Sequence, residues 1–439
     1  MPELKRSLGL WGAASVGIGA IIGTGIFVLI GVAAGTAGPA VILSFVVAGL
    51  IALLTGLSAA ELSSFITESG GSYIYTTRAF GLFPGFVIGW MKAFDYIVGA
   101  SAVAIGFASY FAYFFHLPQT TVTLTAIATA WPVVLTLLNL RGIREASGTN
   151  NVLVALKVLA LLVFILVGGQ YLLAHGSTNY QPFFPTGISG MLSGAALIFF
   201  AFIGFNTVAV ISEEIRDPAR NVPRAILLAF GICTALYLGV SVVAVGLVNW
   251  QVLGTSAAPL ELALSVATDN LFILGFVAIA ALFATTSVIM ASILGGSRAL
   301  FAMARRHVLP GTFARISDRG IPILTVLITG IAISAIVLFT AGNLEWLASV
   351  FNFGTLVTFF FINLSLLRLR QTMPDTQRSF RVPLYPAPPL VGAASCILLS
   401  FYLSRNAIIV GFAWIAIGTL VYVIYRKRIR DVPGVPDGE

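Results

Sequence analysis

The sequence predicts an all-α membrane protein of about twelve transmembrane helices. Hydrophobic residues make up 58% of the 439 residues and charged residues only 9%, whereas a soluble domain carries about 25% charged residues. The apolar residues form continuous runs that are too long for strands and lack the alternation of a membrane β-barrel. Since one helical span takes roughly 20 apolar residues, the chain has room for about twelve spans and short loops.

Each predicted span is an apolar run bounded by charged or turn-forming residues. In order, the spans cover 9–36, 39–66, 83–115, 120–140, 150–173, 188–212, 223–249, 264–300, 322–341, 346–368, 384–404 and 406–425. The charged loops cover 67–82, 141–149, 213–222, 301–321 and 369–383. Two longer connections lie on the opposite side, at 174–187 and 250–263, and the second could hold a short surface helix.

The basic residues give a net charge of +8 and predict the orientation. With a cytoplasmic N-terminus, all 24 Lys and Arg fall in cytoplasmic segments except Lys92 and Lys157, inside spans, and Arg405, outside. This distribution follows the positive-inside rule. We expect a multi-pass protein of the cytoplasmic cell membrane with both termini in the cytoplasm. The positively charged cytoplasmic segments are expected to contact anionic membrane lipids, and no nucleic-acid partner is expected.

The sequence gives no sign of an enzyme or a metal site. Cys233 and Cys396 lie inside spans, so neither a zinc site nor a disulfide-linked partner subunit is expected. The three histidines lie far apart in loops, and no nucleophile motif or pair of acids occupies the centre of a span. We expect no catalytic activity, no metal and no cofactor.

Two stretches that contain helix-weakening glycines predict that two spans are interrupted helices. The first lies at 17–27 and the second at 200–206. Glycine costs about 1 kcal/mol relative to alanine in a helix, and backbone freed inside a membrane must face protein or a water-filled cavity. The spacing of Gly19 and Gly23 would also suit close helix packing. Because the interruptions stand at corresponding places in two halves of the chain, we favour the central site of a transporter.

The same correspondence predicts repeats within a single transmembrane domain, 1–439. Segments 9–173 and 188–368 would be five-helix repeats, and the helices at 384–425 would be appended to them. Since five is an odd number, the repeats would have opposite orientations in the membrane.

Interrupted helices present unpaired backbone groups to a bound molecule. Amides at the start of a half-helix suit a carboxylate, and carbonyls at the end of one suit an ammonium group. The two interruptions together favour a zwitterion, most simply an α-amino acid. Thr24 could add a hydroxyl donor.

Several motifs, in order along 8–425, resemble the amino acid–polyamine–organocation (APC) superfamily of permeases, most closely the bacterial and archaeal relatives of cationic amino-acid transporters. The motifs are Ile22-Gly23-Thr24-Gly25-Ile26-Phe27, Ala37-Gly38-Pro39, Ala60-Glu61-Leu62, Gly70-Gly71-Ser72-Tyr73, Phe199-Phe200-Ala201-Phe202-Ile203-Gly204-Phe205, Glu213-Glu214-Ile215-Arg216-Asp217-Pro218 and Ser297-Arg298-Ala299-Leu300-Phe301. The resemblance implies twelve helices in a LeuT-type 5+5 inverted repeat, with broken helices 1 and 6, alternating access and a substrate site between these helices.

The resemblance also implies roles for residues at both interruptions. The backbone at Ile22, Gly23, Thr24 and Gly25 would bind the substrate carboxylate. The backbone at Phe200, Ala201 and Ile203 would bind the ammonium group, with the ring of Phe200 closing over the substrate from outside. The expected binding set also contains Phe202, Gly204 and Asn206.

Asn206 stands where many relatives carry an acid, and asparagine offers only hydrogen bonds. Neutral or broad-range substrates are therefore favoured over arginine or lysine alone. The side chain of Asn206 could instead hydrogen-bond a neighbouring helix.

Lys157 lies in the fifth span, roughly 10 Å from its start at about 1.5 Å per residue. An ionisable group at this depth suggests a function, although the side chain could snorkel to the membrane surface. By resemblance, its ammonium would occupy a sodium position and reach the Gly19 carbonyl and a hydroxyl of the eighth span. The candidate hydroxyls belong to Thr285, Thr286 and Ser287. Sodium coupling is therefore disfavoured.

Among the other acidic residues, Asp95 has two interpretations. Asp95 could be a proton-linked acid, or it could pair with Lys92 three residues earlier. Glu61, Glu213 and Glu214 are expected to pair with loop arginines at a cytoplasmic gate.

The predicted function is sodium-independent, proton-coupled transport of neutral or broad-range α-amino acids. The alternatives are an amino-acid exchanger without proton coupling and a carrier of cationic amino acids or polyamines.

Overall fold

The computed structural model describes residues 8–23, 25–68, 70–141, 147–305, 309–317 and 321–430, without the side chains of 147–150, 206, 210, 213 and 426–430. The regular secondary structure of this part of the chain is helical apart from one isolated β-bridge, Leu8 to Ile215. Its α-helices are α1 (Leu10–Ile21), α2 (Ile30–Ala37), α3 (Val41–Phe65), α4 (Ser72–Phe80), α5 (Leu82–Phe114), α6 (Thr121–Leu140), α7 (Ser147–His175), α8 (Gly187–Ile198), α9 (Asn206–Val210), α10 (Pro218–Leu247), α11 (Trp250–Thr255), α12 (Pro259–Ala267), α13 (Leu271–Arg305), α14 (Ile323–Phe339), α15 (Leu344–Thr372), α16 (Ala387–Ser400) and α17 (Arg405–Arg430).

Every predicted span corresponds to one helix or to an interrupted helix. Within the described ranges, nine helical stretches have the length and apolar composition to cross a membrane, and α1, α14 and α16 are shorter apolar helices. One long stretch, Leu29–Phe65, contains the end of the first span and the whole of the second. They divide at Gly38, whose φ of +68° ends α2 and is a conformation that favours glycine.

The structure differs from the prediction mainly in the loops. The eighth span was expected to begin at 264, but α12 ends at Ala267 and α13 begins at Leu271. Asn270 sets this boundary, because its side chain accepts a hydrogen bond of 2.9 Å from the Phe272 amide and so caps the new helix. The short helix expected in 250–263 is present as two, α11 and α12, and the loop at 67–82 contains α4.

A buried ion pair joins α3 to the end of α15 and to the segment that follows α15. The Glu61 side chain is fully buried and accepts hydrogen bonds of 2.7 and 2.6 Å from Arg370. The amide of Val382 donates a further bond of 2.6 Å, and Arg378 lies 3.4 Å away. The prediction that Glu61 pairs with arginines is confirmed, and its role as a gate stays a prediction.

The chain before α1 is tied to the segment after α9. The Leu8 amide donates to the Glu214 carbonyl at 3.1 Å, and the Arg216 amide donates to the Leu8 carbonyl at 2.8 Å. Glu214 therefore takes part through its backbone, and the side chain of Glu213 lies outside the described residues.

Candidate substrate site between two interrupted helices

The first span is interrupted after Ile21. Ile22 has an extended conformation, with φ of −75° and ψ of 102°, and it donates the last α-helical hydrogen bond of α1. The chain resumes helical form as a π-helical turn, Gly25–Leu29, that runs into α2. We call α1, this turn and α2 broken helix 1. The interruption leaves backbone carbonyls and amides without partners inside the helix.

The sixth span is interrupted in the same way. After α8, a 3₁₀ turn (Phe199–Phe202) leads to Ile203, which is extended with φ of −81° and ψ of 136°. Gly204 follows with φ of +137°, and α9 then begins at Asn206. We call α8, this turn and α9 broken helix 6. Its geometry requires glycine at 204, because a side chain is strained at such φ values.

The two interruptions are in direct contact with one another. A Cβ added to Gly25 would lie 2.4 Å from the Cα of Ala201, and one added to Gly204 would lie 2.6 Å from the carbonyl carbon of Ala20. Neither position has room for a side chain. The glycines therefore allow both the breaks and the close approach of the two backbones.

Side chains of other helices bind the carbonyls near these breaks. Tyr237 donates a hydrogen bond of 2.8 Å to the carbonyl of Ile21 at the end of α1. Tyr110 donates one of 2.8 Å to the carbonyl of Phe27 in the π-helical turn.

Near the end of α8, Asn352 donates to the carbonyls of Ala196 and Leu197 at 2.7 and 3.1 Å. Sequence reasoning missed Asn352 and both tyrosines. The sequence contained a signal for these three residues, because each is a polar residue inside an apolar span, and such residues hydrogen-bond neighbouring helices.

A cavity of about 250 Å³ lies beside the two breaks. Broken helices 1 and 6 form one wall, and α5, α13 and α15 form the other. The predicted residues that line it are Gly19, Gly23, Gly25, Asp95, Phe200, Ile203, Gly204 and Ser287. The lining residues that were not predicted are Val16, Ala20, Ile21, Lys92, Tyr96, Gly99, Val103, Thr207, Val288, Ala291, Ser292 and Phe351.

Other residues of the predicted site lie elsewhere. Phe202 packs its ring against Phe230 and Tyr237, at centroid distances of 5.6 and 5.4 Å. It is therefore a core residue and not part of the cavity wall, because the 3₁₀ turn directs it towards α10. Ile22 is fully buried. Ala201 packs directly against Gly25. Thr24 and the side chain of Asn206 lie outside the described residues.

Phe200 remains at the cavity as expected. It packs against Phe351 of α15, with ring centroids 4.5 Å apart. The ring of Phe351 lies in turn against Gly99, where an added Cβ would approach it to 2.7 Å. The aromatic pair thus spans the cavity from broken helix 6 to α5.

The ammonium group of Lys157 lies behind the cavity wall. Its Nζ donates hydrogen bonds to the Gly19 carbonyl at 3.0 Å and to the Ser287 hydroxyl at 2.9 Å. With Lys157 only 2% exposed, the contact expected from the resemblance is present and snorkelling is not. Of the candidate hydroxyls, Thr286 instead accepts a hydrogen bond from Trp131 at 3.2 Å, because it faces α6.

Asp95 and Lys92 do not form the predicted pair. Asp95 is 2% exposed, and its Oδ2 lies 3.5 Å from the hydroxyl of Thr355. Its Oδ1 has no hydrogen-bond partner among the described residues. The ammonium of Lys92 instead lies 5.3 Å from the ring centroid of Tyr96, one helical turn further along α5, in a cation–π contact.

A helical membrane protein with two broken helices around a central cavity has the architecture of a secondary transporter. Comparison with known proteins agrees with this class. A family model described as amino acid permease matches residues 8–425. The branched-chain amino acid permease BcaP of Bacillus subtilis is 36% identical, covering 97% of this chain and 94% of its own length.

Two further relatives are named for other substrates. The methylthioribose transporter of Bacillus subtilis is 35% identical over 97% of this chain and 94% of its own length. The cationic amino acid transporter 2 of Arabidopsis thaliana is 34% identical over 85% of this chain and 61% of its own length. The chain belongs to the amino acid permease family of the APC superfamily, and it is a multi-pass membrane protein with the LeuT-type fold.

Proposed function

We propose that this protein carries neutral α-amino acids across the cytoplasmic membrane by alternating access, with branched-chain amino acids as its main substrates. The observation that carries the proposal is the contact between two interrupted helices at a central cavity. In this proposal, amides near Gly23 and Gly25 bind the carboxylate, and the carbonyls that end the 3₁₀ turn of broken helix 6 accept hydrogen bonds from the ammonium group.

The cavity wall supports an aliphatic substrate side chain. Val103, Val288, Ala291 and Phe351 contribute apolar surface to it, and burying such surface favours binding by roughly 25 cal/mol per Å². Branched-chain permeases among the relatives, from Bacillus subtilis at 36% identity and from Lactococcus lactis at 30%, point the same way.

Methylthioribose is a second candidate substrate, because a transporter for it is 35% identical to this chain. It has neither a carboxylate nor an ammonium group, so it would leave both sets of backbone groups unpaired. Unpaired buried polar groups cost about 1–3 kcal/mol each, which favours the amino acid.

For coupling, we propose sodium-independent transport in which Lys157 takes part in proton movement. Its hydrogen bonds to Gly19 and Ser287 join α7 to broken helix 1 and to α13. An ammonium group at this junction supports sodium independence, because it supplies the positive charge that a bound sodium ion would supply. An exchanger without proton coupling is the alternative, and Asp95 is a second candidate for a proton-linked group.

We also propose the arrangement of the chain in the membrane. Both termini lie in the cytoplasm, and 9–173 and 188–368 are inverted repeats followed by two helices at 384–425. The distribution of Lys and Arg supports the orientation, and the matching interruptions support the repeats.

The test is counterflow in proteoliposomes preloaded with unlabelled leucine. We expect labelled leucine to accumulate transiently, isoleucine and valine to compete, and lysine, spermidine and methylthioribose to compete at least about tenfold less well. Competition by methylthioribose alone would reject the amino-acid proposal. Absence of counterflow with every compound would reject a carrier. Repeating uptake with and without pH and sodium gradients separates proton coupling from exchange.

A further inference from the structure

Two short helices cover broken helix 1 on the side of the membrane that the charge distribution predicts to be external. We call α11 and α12 (250–267) the lid. A Cβ added to Gly31 of α2 would lie 2.7 Å from the carbonyl oxygen of Leu253, and one added to Gly35 would lie 3.0 Å from the Cα of Gly254. The lid therefore packs on α2 with backbone against backbone.

The lid carries one acidic residue, Glu261, in the first turn of α12. Glu261 is 5% exposed, and its Oε2 has no hydrogen-bond partner among the described residues. No described Lys or Arg forms an ion pair with it. An ionised carboxylate is costly in such a place unless it is paired.

No described cationic side chain lies within ion-pair distance of Glu261. Tyr110 and Tyr113 of α5 are the titratable groups that interact with it. The π-helical turn, α2 and α11 contain no acidic or basic residue. The other helices packed on α12 are α7, α10 and α13. Their titratable and charged side chains are Lys157, Tyr171 and His175 of α7, Arg220, Arg224, Cys233 and Tyr237 of α10, and Arg298 and Arg305 of α13. Asp269 lies just before α13.

Tyr110 connects this carboxyl group to the interruption in broken helix 1. Its hydroxyl interacts with the backbone of Leu260, the residue before Glu261. The same hydroxyl donates a hydrogen bond of 2.8 Å to the carbonyl of Phe27. The Tyr110 hydroxyl thus contacts both the first turn of α12 and the π-helical turn beside the cavity.

We propose that Glu261 is a proton-binding site of the lid, and that its protonation holds the lid closed over broken helix 1. Closure places the carboxyl group in an apolar environment without a cation, where only its neutral form is accommodated at low cost. Opening hydrates the group and allows it to ionise. Protons on the external side therefore favour the closed conformation by linkage.

The direction of the pH dependence follows from burial. Burial raises the pKa of Glu261 to about 8, whereas a hydrated glutamate titrates near 4.3. The closed lid binds more protons than the open lid, so the stabilisation of the closed state is fully present below about pH 4.3 and is lost as the pH rises through about 8. Between these values the closed-to-open ratio falls by up to about tenfold per pH unit.

The test measures access to the cavity from outside. Ser292 lines the cavity on α13, and the two native cysteines are buried. In a Ser292→Cys variant, the rate of labelling by a membrane-impermeant thiol reagent is measured from pH 6 to 8.5. The same rates are measured with Glu261→Gln added, because this change keeps the group neutral and corrects for ionisation of the thiol itself.

We expect the ratio of the labelling rate with native Glu261 to the rate with Glu261→Gln to rise at least about tenfold between pH 6 and pH 8.5. Asp269→Asn, at an exposed acid of the same loop, should leave the native profile unchanged. If the labelling rates with and without Glu261→Gln change with pH in the same way, the proposal is overturned. It is also overturned if Asp269→Asn changes the pH profile as much as Glu261→Gln does. Glu261→Ala serves if the glutamine variant does not fold, since it also removes the titrating group.

The inference rests on the proposed function only in treating α11 and α12 as a cover of a substrate cavity. Labelling requires no transport. A failure of leucine counterflow and a failure of this test are therefore distinguishable.

Discussion

Replacement of Gly25 by alanine tests whether contact between the two interruptions forms the substrate site. The added Cβ would lie 2.4 Å from the Cα and 2.5 Å from the Cβ of Ala201, where ordinary contacts begin at 3.4 Å. The two interruptions must then separate by about 1 Å. Overpacking of this kind costs about 1–3 kcal/mol. If that strain falls on the bound state, it weakens substrate binding by about 5- to 140-fold, since 1.4 kcal/mol is a factor of ten.

The assay is leucine binding to purified protein, followed by counterflow in proteoliposomes. Gly231→Ala in α10 is the matched control, because no atom lies within 4 Å of the added Cβ there. We expect the control to bind leucine as the native protein does. Native affinity and native counterflow in the Gly25→Ala variant would refute the assignment of the site to this contact.

Three further changes test other parts of the structure. Lys157→Ala should abolish uptake driven by a pH gradient. If uptake by the native protein does not depend on the pH gradient, the mechanism is exchange without proton coupling. Tyr237→Phe leaves the Ile21 carbonyl unpaired and should cost about 1–3 kcal/mol, seen as weaker leucine binding; unchanged binding would contradict the role of this bond. Glu61→Gln breaks a buried ion pair and should destabilise the protein by about 3–5 kcal/mol. Glu68→Gln, at an exposed pair, should cost about 0–1 kcal/mol, and equal thermal stability of these two variants would contradict the difference.

The sequence allowed the spans and both interruptions to be predicted because their causes are local. A bilayer requires long apolar helices, and glycine weakens a helix wherever it stands. The positions of Gly23 and Gly204 therefore indicated where the chain would leave helical form. The contact of Lys157 with Gly19 and Ser287 was also foreseen, but from the resemblance to a family and not from spacing.

The errors concern the direction of side chains. Phe202 was expected at the site, yet it packs on Phe230 and Tyr237. An ion pair of Lys92 with Asp95 was one of two interpretations, and it is not among the described ion pairs, since the Lys92 ammonium lies over Tyr96. In both cases the side chain had several possible partners within reach. The packing of the helices decided which of these partners it contacts.

The sequence by itself determined the class of protein, the number of spans and the places where two of them break, because these features follow from apolar length, charge and glycine content. Only the tertiary structure decided which groups meet at those breaks. Tyr110, Tyr237 and Asn352 bind the carbonyls there from helices distant in the chain. A buried carbonyl needs a donor but does not specify its source, and that source is fixed only when the helices pack.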